Sequence, residues 1–265
     1  FLTNNISFKA ISLYENGIVI DDLKKYDVNI AYVTPSHQFP TGAIMSISRR
    51  TELLNWANEN PDRYIVEDDY DSEFKYTGRP IPALKANDIN DKVIYLGSFS
   101  KSISPAIRVS YLVLPKALLN IYQRELPYFI CPVPTLNQKI LYRFIKDGYF
   151  VKHINKMRTL YKKKREFLVN TIKAYSSKIL NKEIQIQGAD AGLHMVIKLN
   201  QKINEKLFLN ECLENSLKLY SLEEYNIEEI HRENSYFLLG YANLTNKEIE
   251  EGILLLLKIL NKYYI

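Results

Sequence analysis

The stretch "GSFSKSISPAIR" (97–108) sets one lysine, Lys101, among Ser98, Ser100, Ser102 and Ser104, with Arg108 seven residues further on. Serine hydroxyls and a guanidinium, which grips an oxyanion in a fork, are the donors a phosphate needs. A lysine beside a cation in a partly dry pocket gives up its proton more readily and becomes a nucleophile toward carbonyls. Two other loops carry polar residues after apolar β-like runs: "TPSHQFPTG" (34–42) after "IAYV", and "EDDYDSEF" (67–74) after "YIV". Open α/β sheets bind ligands at the carboxyl ends of their strands, and three consecutive loops of this kind can line one crevice. Asp68, at the end of its run, needs a cationic partner if it is buried. The other reading of "EDDYD" is an exposed acidic turn.

A lysine nucleophile, an isolated acid and a phosphate clamp are together what pyridoxal 5'-phosphate requires. The lysine forms the aldimine, the acid keeps the pyridine nitrogen protonated as an electron sink, and the clamp holds the phosphate. Three motifs in order, "VTPSHQFPTG", "EDDYDSEFKYTGRPIPAL" and "YLGSFSKSISPAIRVSYLVLP", carry a resemblance. The chain resembles the fold-type I pyridoxal-phosphate-dependent aminotransferases, and more narrowly the aminotransferase-like effector domain of MocR/GabR-type transcription regulators. The resemblance covers essentially the whole chain.

It implies that Lys101 is the aldimine lysine, that Asp68 pairs with the pyridine nitrogen, and that Tyr70 hydrogen-bonds the ring's phenolic oxygen. Ser98 and Arg108 would bind the phosphate, with Ser100 beside them. Ordinary aminotransferases carry an asparagine before the Pro-Thr-Gly turn. Here that position is Phe39, as in the regulators, which leaves more of the phenolic-oxygen contact to Tyr70. His37 and Gln38 flank the site, and His37 reads as structural. The family places a substrate-carboxylate arginine just ahead of a Gly-aromatic-Ala step; in "HRENSYFLLGYANL" the nearest arginine is Arg232.

The function so implied is a sensor domain. An amino acid or other amino compound would displace Lys101 from the cofactor, and the domain would pass that change to DNA-binding heads. DNA contact would come only through a winged-helix domain absent from this chain, and a homodimer is implied. The alternative is a working aminotransferase, with Lys101 shuttling the α-proton as a general base; a degenerate structural remnant is the third reading. The family's phosphate-cradling turn and ring-stacking aromatic residue precede the position that matches Phe1. The resemblance therefore implies an effector domain truncated at its N-terminus.

The elements that position these loops follow from periodicity. Strands are expected at 6–14, 30–33, 64–68, 92–97 and 108–114, and a helix at 46–59 ending before Pro61. Short apolar β runs bounded by polar turns suit buried parallel strands. Helices follow at 116–126, 135–147 and about 149–175, the last with Phe150, Ile154, Met157, Tyr161, Leu168 and Ile172 on one stripe. Strands at 183–187, 192–199, 217–222 and 236–244 and helices at 204–216 and 246–262 complete the pattern. The expected fold is α/β: a mostly parallel-sheet large domain over 1–150, incomplete at its N-terminus, and a smaller α+β domain over 151–265 that includes the long helix.

Bulk properties bound the rest. Hydrophobic and charged fractions of 46% and 25% belong to an ordinary globular chain. No run reaches the roughly 18 apolar residues of a membrane span, and no signal peptide is visible. Cys131 and Cys212 suggest neither a disulfide framework nor a metal site, which fits a cytoplasmic setting. The net charge of +5 is mild. Its one basic cluster, Lys152 to Arg165, reads as a solvated helix face, with a nucleic-acid footprint as the alternative.

Overall fold

The computed structural model describes residues 2–14, 17–79, 81–227 and 232–263. It divides into two units. One joins Phe1–Gln38, Ala43–Glu73 and Gly78–Met157; the other joins Phe39–Gly42, Phe74–Thr77 and Arg158–Ile265.

In the first unit a small antiparallel hairpin, β1 (Leu13–Tyr14) and β2 (Gly17–Ile18), leads into α1 (Ile20–Lys24). The strand expected over 6–14 is thus reduced to its last two residues. Alternating apolar residues mark an extended chain but name no partner, and here Ile6 and Leu13 stay exposed. The main sheet is β3 (Ile30–Val33), β4 (Tyr64–Asp69), β5 (Val93–Ser98) and β6 (Ser110–Val113), in that spatial order.

β3, β4 and β5 are parallel, as the apolar runs imply, whereas β6 is antiparallel to β5. A parallel return needs a crossover of a dozen or more residues, and residues 99–109 are too few to make one. Between β3 and β4 lies α2 (Ile47–Asn58), started by Ser46, whose side chain accepts from the Arg49 N–H. Its Leu53, Trp56 and Ala57 are buried against Ala31, Val33, Ile65 and Val93 of the sheet. Each large aliphatic side chain among them, such as Leu53, Val33, Ile65 or Val93, stabilises the unit by about 1.5–3 kcal/mol. The opposite sheet face leaves Ile30, Tyr32 and Leu112 exposed.

Beyond β5 comes the one-turn α3 (Phe99–Ser102), and beyond β6 come α4 (Lys116–Glu125), α5 (Thr135–Lys146) and the long α6 (Tyr149–Ile179). Lys152, Lys156, Lys162 and Lys163 lie exposed on α6, while Lys164 and Arg165 donate to the Ala242 and Ala189 carbonyls. The cluster thus combines residues that face solvent with Lys164 and Arg165, which are anchored to backbone carbonyls.

The second unit is α+β. Its antiparallel sheet has the order β7 (Gln185–Gln187), β8 (His194–Lys198), β10 (Tyr236–Gly240), β9 (Tyr220–Ser221). Met195 and Ile197 of β8 and Phe237 and Leu239 of β10 are buried with Phe208 and Cys212 of α7 (Glu205–Glu214). Ile253, Leu256 and Leu257 of α8 (Asn246–Leu260) close the same core, and Thr245 and Glu248 form a capping box at its start. No helix among the described residues is long and apolar enough to cross a membrane.

The Phe39–Gly42 turn belongs to this second unit because its backbone meets Gly188. A Cβ on Gly42 would lie 2.6 Å from the Gly188 Cα, and both residues have positive φ, +72° and +68°. Left-handed backbone costs a residue with a Cβ about 1–2 kcal/mol, before the clash is counted. Gly188→Ala is therefore expected to lower unfolding free energy by about 2 kcal/mol in a denaturant titration.

Candidate functional site

All three sequence-marked loops of the first unit leave the same end of the sheet, because β3, β4 and β5 run parallel. Arg50 of α2, itself 2% exposed, fixes the first of them: its guanidinium donates to the carbonyls of Pro35, Met45 and Pro82.

The acidic loop is not an exposed turn. Strand alternation turns Glu67 and Asp69 toward the α2 face and Asp68 toward the other. Glu67 is fully buried and accepts the Leu84 and Lys85 N–H groups at 2.8 and 2.9 Å, with Arg50 3.9 Å away. Burial pushes its carboxyl above the ordinary range, and those N–H groups and Arg50 pull it back. Asp69 accepts from Tyr95 Oη at 2.6 Å and from Ser72 Oγ at 2.7 Å. Asp71 is bonded to His37 Nδ1 at 2.8 Å, and both are buried. Burial raises the Asp71 carboxyl, while His37 and the charge of Lys101 lower it.

Asp68 differs from its neighbours. Half-buried, it receives a short hydrogen bond from Tyr32 at Oδ2, and its Oδ1 has no partner among the described residues. Tyr32 lies opposite Val66, two residues before Asp68 on the same face, which is why it reaches the carboxylate. Burial and that hydrogen bond hold the Tyr32 phenol far above its ordinary range. Tyr70 Oη donates to the His37 carbonyl at 2.7 Å. Burial, then the charges of Asp71, Asp68 and Asp69, keep the Tyr70 phenol protonated well beyond its usual range.

Lys101 sits in the last turn of α3, exposed, with no hydrogen bond or ion pair among the described residues. The helix that carries it is held firmly. Ser98 caps it by accepting the Ser100 N–H at 3.1 Å, and His153 Nε2 donates to the Ser102 carbonyl at 3.0 Å. Phe99 packs against Tyr111 and Phe150, with ring centroids 5.4 and 5.8 Å apart. Gly97 makes room for Tyr111, whose Cζ would lie 2.1 Å from a Cβ there. Arg108 is exposed and unpartnered among the described residues, with left-handed backbone at φ +51° and ψ +40°. An arginine kept where glycine would be at ease points to a use for its guanidinium.

Arg232 lies in the second unit, its guanidinium 5.4 Å from the Tyr236 ring centroid and 3.3 Å from Asn226 Oδ1. Phe39, in the same unit, stacks edge-on with His194 and Tyr225. Sequence reasoning singled out neither Tyr32 nor the Asp71 partnership of His37. Reading "YIVEDDYD" with period two would have separated Glu67, Asp69 and Asp71 from Asp68.

The residues present fit a phosphorylated pyridine aldehyde. Among the described residues, the Lys101 amine and the Arg108 guanidinium without bonded partners, the Ser98 hydroxyl and the Asp68 carboxylate with a spare oxygen lie on segments that leave one sheet end. Gln38 is 4% exposed, with neither amide atom bonded among the described residues, so a buried polar group there still calls for a partner.

Comparison with known proteins identifies the fold and the family. The fold is that of the fold-type I aminotransferases. α-Aminoadipate aminotransferase LysN from Thermus thermophilus, solved with N-(5'-phosphopyridoxyl)-L-leucine, superposes with a TM-score of 0.81 at 25% identity, covering 97% of this chain and 66% of that one. Residues 19–254 match the model of the class I and II aminotransferases, and the chain belongs to that family. Pyridoxal phosphate is the family's cofactor. Among curated relatives, the HTH-type transcriptional regulator YdeL of Bacillus subtilis is 37% identical over 96% of this chain and 53% of its own length. The probable rhizopine catabolism regulatory protein MocR of Rhizobium meliloti is 30% identical over 90% of the chain and 47% of its own. The chain thus spans about half the length of these relatives.

Support and function separate cleanly in this site. Lys101→Ala should change unfolding free energy by less than about 0.5 kcal/mol, and Arg108→Gly should raise it by up to about 1 kcal/mol by relieving left-handed backbone. His37→Ala, which strands a buried carboxylate, should cost about 3 kcal/mol. Denaturant titration of the three variants reads all these values.

Proposed function

We propose that this chain is the pyridoxal-phosphate-binding, amino-compound-sensing part of a MocR/GabR-like transcription regulator. The observation that carries the cofactor reading is the contrast around "EDDYD". Glu67 and Asp69 are bonded at both oxygens and Asp71 is buried against His37, whereas among the described residues Lys101, Arg108 and one oxygen of the half-buried Asp68 have no bonded partner. The regulator reading is supported by relatives that are HTH-type transcriptional regulators and about twice this length.

When bound, pyridoxal phosphate supplies an aldehyde that joins an amine and a ring that draws off electron density. Lys101 offers the amine, on a helix whose packing fixes its place. Asp68, whose Oδ2 accepts from Tyr32, would accept a hydrogen bond from the protonated ring nitrogen on its other oxygen. Arg108 and the Ser98 hydroxyl would bind the phosphate, with Ser100 beside them. Tyr70 would meet the phenolic oxygen, and Arg232 is the candidate for an effector carboxylate. DNA contact belongs to a further domain of the whole regulator.

The same reading includes a homodimer. The turn between α4 and α5 bears Tyr128, Phe129 and Ile130 at 92%, 74% and 91% exposure, and Leu136 and Ile140, four residues apart on one face of α5, are exposed as well. Exposed apolar surface of this kind marks an association site.

A second reading, a working aminotransferase, has support from the solved neighbour LysN, which is one. Adding pyridoxal phosphate to the purified chain should produce a visible absorbance band that Lys101→Ala abolishes. Adding an amino compound should then change that band once per site, with no keto acid accumulating over many turnovers. Sustained keto-acid release would favour the enzyme, and no band at all would remove both readings.

A further inference from the structure

Two buried residues beside the site have no part in the reading above. His37 and Asp71 are 1% and 2% exposed, on different loops, and are joined at 2.8 Å through Nδ1. A carboxylate at that depth is tolerable only with a partner, and with Asp71 ionised the imidazole N–H is the donor. The pair also bears on a neighbour. The backbone carbonyl of the same His37 takes the Tyr70 hydroxyl at 2.7 Å, and the two rings lie side by side with centroids 6.2 Å apart. A carbonyl can only accept, so the Tyr70 hydroxyl donates there, and His37 Nδ1 lies 3.4 Å from the same oxygen, so one residue holds the phenol from two atoms. Asp71 adjoins Tyr70 in sequence and lies within electrostatic reach of Lys101.

We propose that His37 and Asp71 are positioning residues, a buried couple that fixes the place and the hydrogen-bond direction of Tyr70 in the cofactor site. The inference rests on the cofactor reading above. Asp71 anchors the imidazole, the imidazole anchors the backbone of residue 37, and that backbone anchors the phenol. Removal of the carboxylate releases the chain of contacts at its first link, and Tyr70 loses its fixed direction with no change to its own side chain.

The test compares Tyr70→Phe, Asp71→Asn, the double variant, His37→Ala and His37→Asn. It reads pyridoxal-phosphate affinity, the position of the bound cofactor's visible band, and the melting temperature of the cofactor-free chain. Tyr70→Phe and Asp71→Asn should each weaken binding about tenfold, the size of one lost hydrogen bond to a polar partner, and move the band the same way. The double variant should be no worse than either single one, because both act through Tyr70. His37→Asn, whose amide N–H can stand where Nδ1 stands, should keep wild-type affinity and band position, whereas His37→Ala should behave like Asp71→Asn. The proposal is overturned if Asp71→Asn lowers only the melting temperature, or if the two single effects multiply to about a hundredfold in the double variant. Should Asp71→Asn fail to fold, the contrast between His37→Asn and His37→Ala decides alone. A wild-type chain that takes up no cofactor defeats the cofactor reading first, and this proposal with it.

Discussion

Parallel pairing of β3, β4 and β5 brings three separated loops to one sheet end, and strand alternation then sorts the acids within the middle one. With Asp68 and Asp69 beside Leu96 and Gly97, consecutive carboxylates face opposite sides of the sheet. Glu67 and Asp69 go inward to Arg50, backbone N–H groups, Tyr95 and Ser72, and the carboxylate left over is Asp68. A one-residue slip of β4 would exchange the two sets, bury Asp68 and set Glu67 and Asp69 on the open face. Four acidic residues in five positions are thus tolerable because each has its own partner, and like charges are kept apart by the pleat.

The lysine and the arginine show the opposite economy. Lys101 and Arg108 have no partners among the described residues, yet the backbone on either side of them is fixed by Ser98, Phe99, His153 and the short return into β6. A rigid frame around a free amine and a free guanidinium lowers the entropy lost when a ligand is gripped. The left-handed Arg108 fits this view, since its backbone strain is held in place by neighbours rather than relieved by glycine.

Much of this was legible in the sequence. The apolar runs 30–33, 64–68 and 92–97 gave away their strands because a buried parallel sheet needs such runs, and the motifs marked Lys101, Asp68, Tyr70, Ser98 and Arg108 as one group. What was not legible depends on pairing. The antiparallel turn of β6 follows from the length of its connection, which was countable but went unused, and the retreat of 6–14 to a hairpin depends on partners that alternation does not name. The His37–Asp71 bond joins residues 34 apart, so no local pattern announces it. Tyr32 reaching Asp68 likewise needs the β3–β4 register. Gly42 against Gly188 joins segments even further apart in sequence, and only the assembled backbone shows why both lack a Cβ.

The central claim is that Lys101 is the covalent anchor of a pyridoxal phosphate site on this sheet end. The most direct measurement is borohydride reduction of the chain after it has taken up the cofactor, followed by peptide mapping of the residue that carries the pyridoxyl group. The account predicts one modified lysine per chain, at Lys101. A pyridoxyl group spread over the exposed lysines of α6, or confined to any lysine other than Lys101, would contradict it.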